Sequence, residues 1–306
     1  MSRATLIRLA QAAMACALLV LLWRVADGAQ ALDLLRGADP LWLGAALLAL
    51  AVQTVLSALR WRLTAARLGL QMGAGRAVAE YYLAQLVNQA LPGGVLGDAG
   101  RALRARGSAG LLVSGQAVVI ERLAGQAALL AALALGLALG GRMLPPGLLL
   151  PVLIVLGIAA LLPLALWAAR ALPGAPGRAA RGFAGACARA LLGRDTLPRQ
   201  LGLSLGTVAC NLAAFAFCAR ATGTPLPLAA ILALVPLILL TMVLPLTIGG
   251  WGLREGAAAA LFPLAGASAA AGLATSIAFG LMLLVSVLPG LVALWPVPRA
   301  RADPRP

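Results

Sequence analysis

Histidine and lysine are both missing from the 306 residues, so all 24 basic side chains are arginine. The lack of histidine excludes a histidine-based catalytic centre and any imidazole metal ligand. Acids are scarce too: nine Asp and Glu against 24 Arg give a formal charge of +15. Few carboxylates and no histidine leave little for the positioned acid–base groups that catalysis needs. The four cysteines, Cys16, Cys187, Cys210 and Cys218, have neither metal-ligand nor redox spacing and read as small apolar filler. No catalytic residue, metal or cofactor is therefore expected. No nucleotide-binding loop is present either. Charged residues make up only 11% of the chain, less than half the usual quarter.

What is abundant is hydrocarbon. Hydrophobic residues reach 62% and the mean hydropathy is +0.98, which predicts an all-α polytopic membrane protein forming one integral membrane domain over 1–306. A strong positive balance often signals nucleic acid, but these arginines sit between apolar runs. Anionic lipid headgroups at the membrane are the expected partner, and nucleic acid is not. Near the N-terminus, Arg3 and Arg8 precede an apolar run, and Ala29-Gln30-Ala31 resembles a signal-peptidase site. Arg24 and Asp27 intervene and the site lies far from the run, so a retained first membrane helix is expected.

Six runs are long enough to span a bilayer, roughly 6–23, 41–59, 109–139, 148–169, 201–219 and 268–295. Two further stretches, about 78–101 and 227–263, are broken by a related signature. The first is Leu91-Pro92-Gly93-Gly94-Val95-Leu96-Gly97-Asp98-Ala99-Gly100-Arg101; the second is Leu244-Pro245-Leu246-Thr247-Ile248-Gly249-Gly250-Trp251-Gly252-Leu253-Arg254, followed by Glu255. Aligned without gaps they share Leu, Pro, Gly and Arg, with Val95 matched to Ile248. Broken backbone at membrane depth survives only where protein or a polar cavity satisfies its hydrogen bonds. Two such breaks at corresponding places predict re-entrant or broken helix pairs in an inverted repeat, with one half at about 41–139 and the other at about 201–295. Counting each break as a full span pair instead raises the total to about eight to ten.

Arginine placement suggests an orientation. The segment 60–76 (Arg60, Arg62, Arg67, Arg76), the linker of about 170–200 with six arginines against Asp195, and the tail (Arg299, Arg301, Arg305) are expected to be cytoplasmic. The loop 24–40, balanced by Asp27, Asp33 and Asp39, is expected outside, which puts both termini in the cytoplasm of a bacterial inner membrane. Trp23, Trp42, Trp61, Trp167 and Trp295 fall at span ends, as an interfacial belt requires. Trp251 lies within the second break, to pack its turn or to meet a lipid chain. Phe183, Cys187 and Leu191 recur every four residues in the linker, which is either an amphipathic helix on the inner leaflet or a solvated basic segment.

The side chains that carry chemistry cluster at the breaks. Pro92, Gly93, Gly94, Gly97, Pro245, Gly249, Gly250 and Gly252 supply the backbone breaks. Asn88, Arg101, Arg122 and Arg254 are the candidates for holding a lipid headgroup, with Arg254 the foremost for phosphate. Asp98, Glu121 and Glu255 are candidates for charge pairing or coupling. Asp98 either caps a half-helix whose amides face an anion or simply pairs with Arg101. A purely structural pair of Arg254 with Glu121 or Asp98 is the alternative for the second break. Glu121 and Arg122 are adjacent and point about 100° apart, so they are not expected to face one neighbour. Gly136 and Gly140 form a GxxxG that suggests close helix packing.

The run Asn88 to Arg101, the pair Glu121-Arg122 and Pro245 through Glu255 together resemble the flippase-like transmembrane region of the lysylphosphatidylglycerol synthase family. That pattern has Leu-Pro followed by Gly-Gly-Asp-x-x-Arg, a later Glu-Arg, and Gly-Gly-x-Gly-x-Arg-Glu near the end. Leu96 departs from it, standing where the first glycine of Gly-Gly-Asp is expected. The resemblance implies a membrane domain that moves or holds a lipid: in some relatives an aminoacylated phosphatidylglycerol, in others a lipid of hopanoid or polyprenyl-linked glycan pathways. The chain ends at Pro306 without the soluble aminoacyl-transfer domain of bifunctional members, so lysyl transfer is expected to be absent. A flippase-like carrier of an anionic phospholipid or polyprenyl-phosphate-linked lipid is the leading expectation. A membrane-embedded lipid-modifying transferase, or an accessory subunit presenting lipid to a biosynthetic enzyme, are the alternatives.

Overall fold

The computed structural model describes residues 3–91, 94–107, 109–139, 144–244 and 246–294. Among these the regular structure is helical and no strand occurs. The helices are α1 (Arg3–Val25), α2 (Gly28–Arg36), α3 (Pro40–Arg67), α4 (Ala74–Ala90), α5 (Leu96–Ala105), α6 (Gly110–Leu139), α7 (Pro146–Ala169), α8 (Gly174–Leu191), α9 (Leu197–Ala221), α10 (Leu228–Leu240), α11 (Leu253–Leu261) and α12 (Ala269–Ser286). Five stretches, α3, α6, α7, α9 and Ala269–Ala293, are long and apolar enough to cross a membrane. The pair α1 and α2, bent by 94°, makes a sixth if counted as one span. This is an all-α polytopic membrane protein.

Local sequence sets the helix starts. Pro40 opens α3 and the Asp39 carboxylate accepts from the Leu41 amide at 2.8 Å, while Ser268 accepts from Ala271 at 3.1 Å to start α12. Asp27, in the left-handed region at φ 52°, accepts from Gln30 and turns the chain into α2. The stretch 24–40 thus contains a helix where a plain loop was expected, and Ala31 of α2 is buried against Ala270 and Ala274 of α12.

Inside lipid the backbone gains nothing from hiding apolar side chains from other apolar groups, so close approach through small residues decides helix association. Gly136 of α6 lies so near α10 that a Cβ would sit 2.3 Å from the Leu232 carbonyl carbon. Gly272 of α12 would meet the Ala258 oxygen of α11 at the same 2.3 Å. Gly140, its expected partner in the GxxxG, lies outside the described residues. At the centre Phe215 of α9 meets Phe279 of α12, ring centroids 5.2 Å apart, and Phe262 at 6.3 Å.

Both signatures interrupt helices. The first separates α4 from α5; Pro92 and Gly93 lie outside the described residues, and Gly94 takes φ 60°. The second follows α10 through a 3-10 turn at Thr241–Val243 and reaches α11 through Gly249, Gly250 and Gly252 at φ 58°, 78° and 86°. Pro245 lies outside the described residues. The chain order is long helix, broken pair, long helix in both stretches: α3, α4/α5, α6 and then α9, α10/α11, α12.

The structure corrects two placements. The helix α3 runs on to Arg67 rather than ending near 59, so Arg60 is buried within the bundle, only 3% exposed, instead of lying beyond the end of the span. For the same reason Trp61 is fully buried and is no member of an interfacial belt. Trp23 and Trp167 are exposed near helix ends, whereas Trp295 and the tail arginines lie outside the described residues. The linker is helical as α8, and Phe183, Cys187 and Leu191 pack against Ile120 of α6 together with Leu68.

Candidate functional site

A cavity of about 690 Å³ lies between the first broken pair, the second break and the helices α3, α6, α9 and α12. Its polar wall includes Arg60, Arg122, Asp98, Glu121, Asn88 and Thr247; its apolar wall includes Leu129, Leu239, Val243 and Leu244. One space thus joins charged groups to hydrocarbon, the combination an amphiphile's headgroup and chain require.

The charged wall is a network drawn from four helices. Glu121 of α6 accepts from Arg60 of α3 at 2.7 Å, from Arg101 of α5 at 3.1 Å and from the Tyr81 hydroxyl of α4 at 3.2 Å. Asp98 accepts from Arg101 at 2.8 Å, from Asn88 at 3.3 Å and from Arg122. Glu121 and Arg122 therefore both engage α5, contrary to the expectation from their directions. Asp98 and Arg101 stand one turn apart on that helix, and the long Arg122 side chain reaches the Asp98 carboxylate while Glu121 takes Arg101. Three guanidiniums against two carboxylates leave the network with one net positive charge.

The arginines differ in access. Arg101 is fully buried, its guanidinium between the rings of Trp61 (4.6 Å) and Tyr81 (4.5 Å). The side chain of Arg122, by contrast, is 46% exposed and faces the cavity. Of the two readings of Asp98, the structure shows the pair with Arg101 rather than the cap of α5. The Asn88 side-chain oxygen accepts from the Gly97 amide at 2.8 Å, so Asn88 rather than Asp98 satisfies the helix start. Gly97 is required there by contact: a Cβ would lie 2.0 Å from the Ala84 oxygen. Leu96, the departure from the family pattern, is the first residue of α5 and partly exposed, so it takes no part in that contact.

At the second break Arg254 and Glu255 are both fully buried and paired with each other. Ser276 of α12 accepts from Arg254 at 3.0 Å and donates to Glu255 at 2.9 Å, and the other carboxylate oxygen accepts from the Gly252 amide at 2.6 Å to cap α11. Trp251 packs the turn, its ring 5.0 Å beneath the Arg254 guanidinium. Arg254 makes no ion pair with Glu121 or Asp98, which bond within the first network instead. The positional match of Arg101 and Arg254 in the two signatures thus extends to environment: each is buried, acid-paired and stacked on aromatic rings.

The structure brings Asn88, Asp98, Arg101, Glu121 and Arg122 together in one network. It sets Arg254 and Glu255 apart in a second. Of the four expected headgroup residues, Asn88 and Arg122 line the cavity, while Arg101 and Arg254 lie behind its wall. Arg60, Tyr81 and Thr247 were missed. The available signal for Arg60 was the stripe Thr54, Ser57, Trp61, Thr64, whose spacing of three and four marks one buried face continuing past residue 59.

Residues 6–290, nearly the whole chain, match the family model described as Lysylphosphatidylglycerol synthase TM region. No curated protein and no solved structure matches the chain. A membrane protein of lipid metabolism or transport is the class this match supports.

Proposed function

We propose, because the chain belongs to the lysylphosphatidylglycerol synthase TM region family, that it is a flippase-like carrier that moves or holds an anionic lipid by its headgroup. The observation that carries this reading is Arg122. It is the half-exposed cation of a cavity whose other charged groups are buried and paired, in a network with one surplus positive charge. A phosphate reaching the cavity gains charge-assisted hydrogen bonds from Arg122 without dismantling the network, because Asp98 keeps Arg101 and Asn88 as donors. Asn88 supports the site by holding the start of α5, and Arg60 supports it by fixing Glu121. Arg101 and Arg254 act as clasps for the two broken pairs. On this reading the halves at about 41–139 and 201–295 form an inverted repeat whose breaks exchange exposure between the leaflets.

The test is transbilayer movement in liposomes containing the purified protein, with labelled anionic phospholipids and polyprenyl phosphates in separate arms. Movement or tight retention of an anionic class is expected, reduced at least tenfold by Arg122→Gln. A wild-type protein that moves and retains anionic and zwitterionic lipids equally would overturn the reading, and a chemically altered lipid in the products would point to a transferase instead.

A further inference from the structure

The charged network accounts for the wall of the cavity but not for its mouth. Among the described residues that line the cavity, Val95, Ala99, Val119, Leu123, Val243 and Leu244 are exposed, and all are apolar. The valines and leucines of this rim are each 40–62% exposed. The remaining exposed lining residue is Arg122, which stands between Val119 and Leu123 on the cavity face of α6. A mouth that opened on water would carry the polar side chains of a solvated rim. This rim is hydrocarbon, and it is built partly on α6, a helix long and apolar enough to cross the membrane. The outer side of the second broken pair is closed instead. There Leu18 of α1 lies 2.8 Å from where a Cβ on Gly252 would sit, and Leu22 lies 3.7 Å from one on Gly256, so α1 covers the start of α11.

We infer that the cavity is entered sideways from the hydrocarbon, through a portal rimmed by Val95 and Ala99 at the start of α5, Val119 and Leu123 of α6, and Val243 and Leu244 of the second break. The inference rests on the anionic-headgroup reading and adds the route and the seat of the acyl chains. The headgroup passes the rim to meet Arg122, while the chains lie on the rim and trail into the bilayer. The volume of the cavity requires this division. At about 30 Å³ for a water-sized group, 690 Å³ holds roughly 23 such groups. Two sixteen-carbon chains bring more methylenes than that, each close to water in size, before any headgroup is counted. Placing Arg122 at the mouth has the same logic. A guanidinium exposed at membrane depth is costly, and a phosphate drawn in from the bilayer relieves that cost at the point of entry. Because the rim draws on both signatures, Val95 from the first and Leu244 from the second, the width of the portal follows the separation of the two breaks.

The test places nitroxide labels on Val119→Cys, Leu123→Cys and Leu244→Cys in the full-length protein in liposomes. The background has Cys16, Cys187, Cys210 and Cys218 replaced by alanine and handles lipid as the wild type does. Collision with oxygen, which concentrates in hydrocarbon, is compared with collision with a water-soluble nickel chelate. Oxygen is expected to dominate at all three positions, as it should for a label on Leu161, an exposed residue of α7 that lies outside the cavity. In a second arm Val119→Trp and Leu123→Trp fill the mouth. Movement or retention of phosphatidylglycerol should fall by about tenfold or more in each, since an indole occupies the gap, and stay unchanged in Leu161→Trp. Nickel access dominating at Val119 and Leu123, or tryptophan variants that handle phosphatidylglycerol at the wild-type rate, would overturn the portal and leave the anionic-headgroup reading standing. A wild type that handles phosphatidylglycerol and phosphatidylcholine equally would overturn that underlying reading and the inference with it.

Discussion

Replacing Glu121 with glutamine removes one charge and almost no volume, so its effect isolates the electrostatics of the network. Glu121 is fully buried and accepts from Arg60, Arg101 and Tyr81. After the substitution three guanidiniums face the single carboxylate of Asp98, and Arg60 loses its ion pair altogether. Breaking a buried pair by removing one partner costs about 3–5 kcal/mol, because a charge is left uncompensated out of water. At about 2 °C per kcal/mol, suited to a chain at the large end of the usual range, Glu121→Gln should lower the midpoint of thermal unfolding in detergent by about 6–10 °C.

A companion substitution calibrates the scale. Tyr81→Phe removes one hydrogen bond of 3.2 Å to the same carboxylate, worth about 1 kcal/mol, and should cost about 2 °C. The assay is a thermal ramp followed by fluorescence and by recovery of the monodisperse species. A midpoint for Glu121→Gln within about 2 °C of wild type, or indistinguishable from Tyr81→Phe, would refute the claim that Glu121 is the structural counter-ion of the first broken pair.

Two further outcomes are expected. Gly97→Ala should prevent recovery of folded protein, since the new Cβ would press on the Ala84 backbone oxygen at 2.0 Å, whereas Gly115→Ala, at a site with open space around it, should be recovered normally. Arg254→Met and Glu255→Met should each cost about 3–5 kcal/mol, but the double substitution should cost markedly less than their sum because it leaves no unpaired charge. A residual of about 1 kcal/mol should persist in the double variant from the lost Glu255 cap on Gly252, measured by the same thermal ramp.

The parts of this architecture that were legible in the sequence are those fixed by local chemistry. Apolar runs give spanning helices because lipid offers the backbone no other partner. The glycine-rich signatures give breaks because Gly249, Gly250 and Gly252 adopt positive φ that side chains with a Cβ resist. Pairings across the bundle were not legible. Arg60 meets Glu121 across 61 positions of sequence, and nothing local distinguishes it from Arg62, whose side chain is solvent-facing and bonds the Met72 carbonyl. Loop-charge asymmetry placed both on one side of the membrane. The stripe through Thr54, Ser57, Trp61 and Thr64 separates them, because only the residues beside that face turn inward.

The same distinction bears on where a ligand is held. The two signatures are matched in sequence, and their arginines are matched in burial, acid pairing and aromatic stacking, yet the surroundings are unequal in charge. In the first, Arg60 and Arg122 join Arg101 against two acids, leaving a positive remainder that Arg122 presents to the cavity. In the second, Arg254 and Glu255 cancel, and what faces the cavity is Thr247, Gly249 and Gly250. Buried charge that is fully paired resists displacement by a ligand, since releasing it leaves its partner uncompensated. A half-exposed guanidinium whose counter-ion retains other donors does not. On the proposed reading, then, the charged end of a lipid belongs to the first broken pair. On the same proposed reading the repeated arginines, the most conspicuous shared feature of the sequence, hold the breaks in place, and an unrepeated one, Arg122, is left to bind.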